Sequence, residues 1–574
     1  MASTVARVVA INDSGTDMTK ITLLGPDGHP LPPKALPPSG RSRNAALAGN
    51  RGIAYDAADV TSDQMANWRP SLWSPDNEIN PYRDRMVSRT RDLVRNDGWG
   101  AGIITRTQDN VVGPSFRPIL SPDYRALAHI SGNSAFDIGW SREYKRAVEA
   151  AWRSWVSDPG RWCDVERQLT ISQQLRLAFR HKLIDGDALG YLQYRPERLG
   201  YGRAKFATTL QIIDPDRLSN PQQMMDLKYM RGGVEIDDDG APVFYHIREA
   251  HMGDWWSAPE TVIWQRIPRE TRWGRPVMVH DFDHDRGAQH RGVGLLTPIV
   301  QRMKMLTKYD QSELEAAILN AVFGAYLKSP FDPSVAAEVL GDTATDVANA
   351  EGWTGYQDAR ADYYSDNRLM MNHGVGIMKL WPSEEIGTVD AQRPNSNFAD
   401  FESAMLRNLA AATGLSAQQI SQDWSDVNYS SARAAMLEAW KTLTRRREDF
   451  GSGFAQPVLV AFMEELHEFH DLPLPRNAPD FAEARAAYSR ARWQGPGRGW
   501  VDPVAEKKGV ILGLDAGIST MEQEVAESMG ADWEEVVDQR SFEINYFKEK
   551  GMPPPSWAQA NVMAPETIKD PEEK

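Results

Sequence analysis

The stretch Asn428-Tyr429-Ser430-Ser431-Ala432-Arg433-Ala434-Ala435 opens a long helical pattern that we predict to span residues 430–470. Gly451, Gly453 and Pro457 fall inside this pattern. Helices bend at residues of these types, because proline lacks a backbone donor and glycine lacks a side chain. The stretch therefore predicts one long helix with a bend, around which the rest of the chain can be placed.

Two further helical patterns lie on the amino-terminal side of this helix. The nearer pattern covers residues 398–413 and stops at Gly414, since glycine commonly ends helices. The farther pattern begins after Thr297 and Pro298, a capping residue followed by a proline suited to the first helical turn. Its apolar positions predict a helix within 295–327.

A short segment separates these two helices and has a different character. Residues 328–396 mix polar loop with a short helix predicted around 334–340 and a strand-like run at 374–380. We interpret this segment as a separate small module flanked by two long helices.

The segment 83–294 combines both secondary-structure periods. Helical spacing begins at Arg83, whereas residues 188–194 and 209–213 have the composition of strands. Asp238-Asp239-Gly240 is typical of a hairpin turn, because such turns require positive φ angles. The predicted fold class is therefore α+β. Residues 1–82 are rich in Pro, Gly, Ser, Asn and Asp, and we predict a poorly ordered arm.

Composition excludes several classes of protein. The 574 residues include 64 basic and 79 acidic side chains, a net charge of −15, and 41% hydrophobic residues. This hydrophobic content excludes a mainly disordered chain, and the acidic excess argues against a protein that coats nucleic acid. Cys163 is the single cysteine, which fits a reducing compartment. No apolar stretch reaches the ~20 residues of a membrane span, so we expect a cytoplasmic protein without a membrane partner.

The sequence offers little for catalysis. It contains neither a Gly-Lys-Ser/Thr phosphate loop nor a Gly-x-Ser-x-Gly nucleophile motif. A metal-like cluster is present, formed by His280, Asp281, Asp283, His284, Asp285 and His290. A metal-dependent nuclease is thus an alternative, which predicts DNA cleavage abolished by His284→Ala. The spacing fits no known zinc motif, so we predict no catalytic residue, no metal and no cofactor.

Basic residues on the helix after Pro298 are candidates for contact with DNA. Lys304 and Lys308 lie one turn apart on one helix face, and Arg302 is close by. Such residues can contact phosphates without reading sequence. A solvated helix face is the alternative interpretation of the same pattern.

The order of several short segments resembles the lambda-type phage portal proteins from about residue 55 to residue 539. The segments are Arg89-Thr90-Arg91-Asp92-Leu93-Val94-Arg95-Asn96, Asn110-Val111-Val112-Gly113, Asp185-Gly186-Asp187, Gln211-Ile212-Ile213-Asp214-Pro215-Asp216-Arg217-Leu218, Gly233-Val234-Glu235, His246-Ile247, Arg291-Gly292-Val293-Gly294, the opening stretch 428–435 and Trp500-Val501-Asp502-Pro503. No single segment is enough to establish the resemblance. The order and spacing of the segments together support it strongly.

This resemblance implies a portal fold with a mixed α/β wing, an α-helical stem, a small α/β clip and a helical crown. The implied parts are the arm 1–82, the wing 83–294, a first stem helix 295–327, the clip 328–396, a second stem helix 397–413, a tunnel loop region 414–429, a long helix returning to the wing 430–499, the crown 500–540 and an acidic tail 541–574.

The resemblance also implies a function and partners. It implies a non-enzymatic, dodecameric ring at one vertex of the virion capsid, assembled in the bacterial host cytoplasm. Double-stranded DNA is packaged through the ring by the terminase large subunit and later ejected; the major capsid protein or scaffold and head-completion or tail connector proteins contact the ring. A non-ring structural adaptor is the alternative. The implied channel residues are Arg302, Lys304 and Lys308 on the stem and Gln422, Asp423, Trp424, Asp426, Asn428 and Tyr429 in the tunnel loop.

Overall fold

The chain divides into two compact units, residues 1–73 and 74–574. The computed structural model describes residues 55–60, 62–114, 116–257, 259–321, 325–328, 358–363, 365, 385–388, 398–425, 428–499 and 502–553. In the described part of the first unit, Asp56–Ala58 form a 3-10 turn. The second unit starts with helix α1 (Pro75–Ile79), which lies within the predicted arm 1–82.

Five helices follow α1 in the first part of this unit. They are α2 (Arg83–Asn96), α3 (Gly98–Val111), α4 (Tyr124–Ser131), α5 (Ile138–Val156) and α6 (Ile171–Asp185). Asp97 separates α2 from α3 and caps α3 by accepting the backbone N–H of Gly100 at 2.8 Å. Gly186 ends α6 with a φ of 89°, and a Cβ there would lie 2.4 Å from the carbonyl carbon of Gly292. Only glycine fits this close approach.

Strands follow α6 and form two antiparallel sheets. They are β2 (Asp187–Tyr194), β3 (Thr208–Ile213), β4 (Met230–Arg231), β5 (Val234–Ile236), β6 (Pro242–Arg248), β7 (Trp264–Pro268) and β8 (Met278–Phe282). One sheet has the order β3-β2-β8 and the other β4-β5-β6-β7. The two predicted strands and the predicted hairpin are confirmed, which confirms the α+β class.

The predicted long helix contains a defect where the bend was expected. Its parts are α10 (Tyr429–Phe450), a π-helical turn (Gly451–Ala455) and α11 (Gln456–Phe469). A Cβ on Gly453 would lie 2.3 Å from Asp281 Oδ1, and one on Gly451 would lie 2.8 Å from Trp493 Cβ. These glycines let the backbone approach β8 and the strand that carries Trp493. Eight of the fourteen residues of α11 are buried, and seven of them belong to the main core.

The segment between the two predicted stem helices begins and ends in paired strands. Helix α7 (Val300–Ala321) follows a 3-10 turn (Thr297–Ile299), and strand β9 (Ala325–Lys328) pairs antiparallel with β10 (Glu385–Thr388). The helix predicted through residue 327 is therefore wrong at its end, because strand pairing overrides the apolar pattern there. The predicted elements at 334–340 and 374–380 lie outside the described residues. Helix α8 (Phe398–Thr413) matches its prediction.

The last part of the chain returns to the segment 83–294, the predicted wing, and then continues as helices. Its elements are α12 (Arg485–Tyr488), β11 (Ala491–Gln494), α13 (Pro503–Asp515), α14 (Met521–Met529) and α15 (Trp533–Glu549). Strand β11 pairs antiparallel with β1 (Arg117–Leu120). Helix α15 continues past residue 540, the predicted end of the crown. Among the described helices, none has the length and apolar character to span a bilayer.

Candidate functional site

The two helices that flank β9 and β10 contact each other through aromatic rings. The ring of Tyr309 on α7 lies 5.6 Å from that of Phe398 and 4.9 Å from that of Phe401, both on α8. Met303 and Leu306 of α7 are buried. Helices α7 and α8 therefore form a packed pair, and the β9–β10 strands pair between their ends.

The three basic residues predicted on the stem all lie exposed on α7. Lys304 and Lys308 line a groove of about 870 Å³ between α2 and α7, and Arg89 of α2 lines the same groove. Arg302 is not among the lining residues. The structure thus brings two of the predicted cations together and adds Arg89, which the sequence argument did not single out for this role.

The predicted tunnel loop lies between α9 (Ala417–Ser421) and α10. Gln422 adopts a left-handed conformation with a φ of 59°, and its side-chain amide donates to the carbonyl of Gln419 at 2.8 Å. The carboxylate of Asp423 accepts hydrogen bonds from the Ser425 hydroxyl and backbone N–H, and these bonds lower the pKa of Asp423. Trp424 is 38% exposed. These groups are therefore accessible at the surface of one chain.

The remaining predicted loop residues have different positions. Asn428 caps α10, because its side-chain oxygen accepts the backbone N–H of Ser431 at 2.9 Å. Tyr429 is the first residue of α10. Asp426 lies outside the described residues. The cap gives Asn428 a structural role at the point where the loop becomes the long helix.

The start of the loop is attached to the wing. Arg106 of α3 donates from Nη1 to the carbonyl oxygen of Ile420 at 2.6 Å. Ile420 is fully buried, and Leu415 nearby in sequence is also buried. The short helix α9 is therefore fixed on α3, while the residues after Ser421 extend beyond it.

A buried ion network lies in the wing around Asp187, the first residue of β2. Its carboxylate accepts hydrogen bonds from Arg83 Nε (3.2 Å), Arg291 Nε (3.0 Å) and the backbone N–H of Gly292 (2.7 Å). His280 Nε2 lies 3.0 Å from the same carboxylate. Burial opposes ionisation of Asp187, but Arg291, His280 and Arg83 outweigh it and lower the pKa of Asp187. Burial also lowers the pKa of His280, although the nearby Asp187 carboxylate opposes this shift.

Arg91 extends this network toward the surface. Its guanidinium contacts three carboxylates, those of Asp185 (2.8 Å), Asp214 (2.9 Å) and Asp216 (2.8 Å). Burial lowers the pKa of Arg91, but these three charges outweigh it and raise the pKa overall. Arg83 also lies 3.4 Å from Asp216, which joins the two halves of the network. The network therefore ties α2 to α6, to β2 and to the turn after β3.

The comparisons with known proteins identify the family. Residues 61–447 match the family model described as phage portal protein, lambda family. The portal protein of Escherichia phage N15 is 30% identical over 92% of this chain and 96% of its own length. The chain belongs to the lambda family of phage portal proteins. Portal protein B of Escherichia phage lambda is also 30% identical over 92% of this chain and 96% of its own length.

Solved neck structures of GTA particles give weaker matches to this portal chain. The neck of an empty GTA particle, determined with C6 symmetry, aligns with 81% of this chain and 94% of its own at 13% identity and a TM-score of 0.40. The neck of a native GTA particle, determined with C12 symmetry, aligns with 76% and 96% of the two chains at 13% identity and a TM-score of 0.33.

The segments that carry the portal resemblance meet in the ion network. Arg91, Asp187 and Arg291 belong to three of them, and Asp214 and Asp216 belong to a fourth. In the sequence these segments serve only as landmarks, and their contact with one another is not predicted from it. The sequence signal that could have indicated this network is the presence of charged residues at the ends of buried strands. A buried charge in such a position is seldom found without a partner.

The metal-like cluster is divided among protein partners. His280 contacts Asp187, Asp281 and Asp283 contact Lys182 at 2.8 and 3.0 Å, and His290 contacts Asp76 at 2.8 Å. Within the described residues, a different group has ligand atoms close enough together to hold a metal ion. It consists of Asp214, Asp216 and His251, whose ligand atoms lie within 4.8 Å of one another. Arg91 already donates hydrogen bonds to two of these carboxylates, those of Asp214 and Asp216. These pairings do not favour the nuclease alternative.

Proposed function

We propose that this portal chain assembles into a dodecameric ring at one capsid vertex and forms the channel through which double-stranded DNA enters and leaves. In this proposal the terminase large subunit drives packaging, and the ring itself has no catalytic role. Family membership over 92% of the chain carries the proposal. The packed α7–α8 pair, with β9 and β10 between the two helices, supports the predicted stem and clip.

The charge of the chain fits a channel that does not retain DNA. A net charge of −15 repels phosphate, so the duplex can slide. Repeated around a ring, Lys304, Lys308 and Arg89 would form bands of positive charge that centre the duplex without sequence selectivity.

The remaining partners follow from the same proposal. The wing would face the major capsid protein or scaffold, and the clip would bind head-completion or tail connector proteins. The ring would be a component of the virion, assembled in the bacterial host cytoplasm.

Electron microscopy of the purified protein, with particle mass measured on the same sample, tests the ring. We expect closed rings with an axial hole wide enough for duplex DNA. Particles that never close under any condition would contradict the proposal and favour a non-ring structural adaptor.

A substitution in the tunnel loop tests the channel residues. We expect Trp424→Ala to reduce DNA packaging several-fold while ring assembly stays intact, because the exposed indole would contact the moving duplex. Packaging in a defined in vitro reaction is the measurement. Trp256→Ala removes another exposed tryptophan, 68% accessible and in the β6–β7 connection, and serves as the matched control. Unchanged packaging by the Trp424 variant would place the contact elsewhere.

A further inference from the structure

Strand β11 has an unused edge. It pairs with β1, and within the described residues no second strand pairs with it. Ser121 donates its backbone N–H to the carbonyl of Arg490 at 2.9 Å, whereas the backbone N–H of Leu120 bonds to a side chain instead. Residues in an antiparallel pair alternate between facing the partner and facing away. The backbone N–H and C=O groups of Ala491 and Trp493 therefore point away from β1.

A groove runs beside this edge. It has a volume of about 1210 Å³ and is lined by residues of α10, α11, α12, β11 and α14. Three lining residues each hold a buried polar atom that has no hydrogen-bond partner among the described residues: Thr444 Oγ1, Arg485 Nε and Gln494 Oε1. Buried polar atoms are normally paired, since leaving one unpaired costs about 1–3 kcal/mol. These three atoms are buried beneath the groove surface, so the main-chain groups along the strand edge are the hydrogen-bonding groups left for a ligand.

The groove is also predominantly basic. Its lining cations are Lys441, Arg445, Arg447, Arg485, Arg490 and Arg492, against two acids, Glu448 and Glu527. Arg490 and Arg492 project from alternate positions of the β11 segment, and each has an exposed ion partner at 3.7 Å, Asp123 and Glu522 respectively. Exposed pairs of this kind contribute about 0–1 kcal/mol, so incoming carboxylates can replace them.

We propose that this groove binds an extended acidic segment of a separate protein, which adds to the β1–β11 ribbon as a third strand. The outward groups of Ala491 and Trp493 would supply the main-chain hydrogen bonds, as in other strand-addition complexes. Acidic side chains at every second position of the segment would lie beside Arg490 and Arg492. Charge complementarity selects this occupant over a basic or neutral one, and the inference does not depend on the ring or the DNA channel.

A dye-labelled synthetic peptide with the sequence Glu-Val-Glu-Val-Glu-Val-Glu is the probe. Fluorescence anisotropy with the full chain should show saturable binding that weakens at least tenfold in an Arg490→Glu/Arg492→Glu double variant. Lys205→Glu reverses an exposed charge in a different cavity and should leave binding unchanged. Hydrogen exchange should show that the peptide slows exchange at the Ala491 and Trp493 amides, which loss of charge alone would not explain.

Several results would overturn the proposal. Absence of saturable binding would exclude the groove, and equal binding of a Lys-Val-Lys-Val-Lys-Val-Lys peptide would exclude its choice of acidic segments. Binding without slower exchange at Ala491 and Trp493 would exclude strand addition. Binding to the unassembled chain but not to assembled rings would show that a second copy of this chain fills the groove.

Discussion

Asp187 is fully buried and ionised, and three side chains together with a backbone amide hold its charge. Replacing Asp187 with Asn would leave the buried Arg291 without its carboxylate partner, and Arg83 would keep only the longer contacts with Asp216 and the exposed Asp84. Breaking a buried pair in this way costs about 3–5 kcal/mol. We therefore expect Asp187→Asn to lower the free energy of unfolding by about that amount, measured from urea denaturation midpoints at unchanged slope.

Asp84 provides the matched control for this substitution. Its side chain is 77% exposed and lies 3.9 Å from the same arginine, Arg83. Exposed pairs contribute about 0–1 kcal/mol, so Asp84→Asn should leave the midpoint nearly unchanged. Equal effects of the two substitutions would mean that the buried network does not stabilise the wing.

His467 makes stability depend on pH. Burial lowers its pKa from 6.5 to about 4, and its Nε2 lies 2.6 Å from the hydroxyl of Tyr144. The folded chain therefore holds a neutral imidazole that the unfolded chain protonates more readily. This contribution to stability is present above pH 6.5 and is lost as the pH falls toward 4, by at most about 1.4 kcal/mol per pH unit.

The variant His467→Gln tests this dependence. Glutamine keeps a polar atom near the Tyr144 hydroxyl but does not titrate. We expect the fall in unfolding free energy between pH 7 and pH 4.5 to be smaller in the variant, measured by tryptophan fluorescence during urea denaturation. All other titrating groups are shared, so identical pH profiles would exclude His467 as the source.

Single residues were only partly predictable from the sequence. Lys304 and Lys308 share a helix face because helical spacing alone places them there, and the structure confirms this proximity. The contacts of Asp187 could not be predicted, because its partners lie 104 residues away in either direction. Local spacing contains no information about such pairs.

At the scale of elements, the π-helical turn between α10 and α11 depends on glycine. A Cβ on Gly453 would meet Asp281, which Lys182 already holds at 2.8 Å. We expect Gly453→Ala to lower the unfolding free energy by about 1–3 kcal/mol, because overpacking forces neighbouring groups to move. Thermal unfolding of the full chain is the measurement.

Gly509 in α13 is a glycine at which we expect alanine to stabilise the fold instead of destabilising it. An added Cβ there meets no atom within 4 Å. Gly509→Ala should therefore stabilise the helix by up to about 1 kcal/mol, as alanine is the better helix former. If Gly453→Ala did not lower the unfolding free energy either, the close approach of Gly453 to Asp281 would not be needed for the stability of the π-helical turn.

Elements with strong local signals were predicted well. Helix α8 has the predicted bounds, and the π-helical turn that interrupts the long helix contains Gly451 and Gly453, two of the residues at which a bend was predicted. The end of α7 was wrong because Ala325, Tyr326 and Leu327 suit a helix and a strand equally, and pairing with β10 decides between them. Pairing of this kind is set by residues far away in the sequence.

At the scale of the whole molecule, ion pairs attach α15 to the wing. No residue of α15 is buried. Six ion pairs join the start of α15 and its capping residue Asp532 to residues 117–153, at 2.6 to 3.8 Å. They are Lys145–Asp532, Lys145–Glu534, Arg142–Glu534, Arg117–Glu535, Arg153–Glu535 and Arg146–Asp538. Salt screens the exposed pairs, with a Debye length of about 3 Å at 1 M, and screens the buried Lys145–Asp532 pair much less.

We therefore expect α15 to loosen at high salt. Amide exchange in α15 should speed up several-fold between 0.05 M and 1 M NaCl, while exchange in the buried helix α6 should not change. Hydrogen exchange detected by mass spectrometry measures both helices in one sample. Equal changes in the two helices would indicate global destabilisation instead of release of α15.

Strand β1 can pair with β11 only late in the synthesis of the chain. Arg117 lies opposite Gln494, so the ribosome must synthesise the residues between them before β1 can pair with β11. At about 5–20 residues per second, the nascent chain would carry an open strand edge for about 20 to 75 s. An unpaired edge is a template for aggregation. The time spent with this edge open, and any chaperone that covers it, would therefore limit how many copies of the chain reach the folded state.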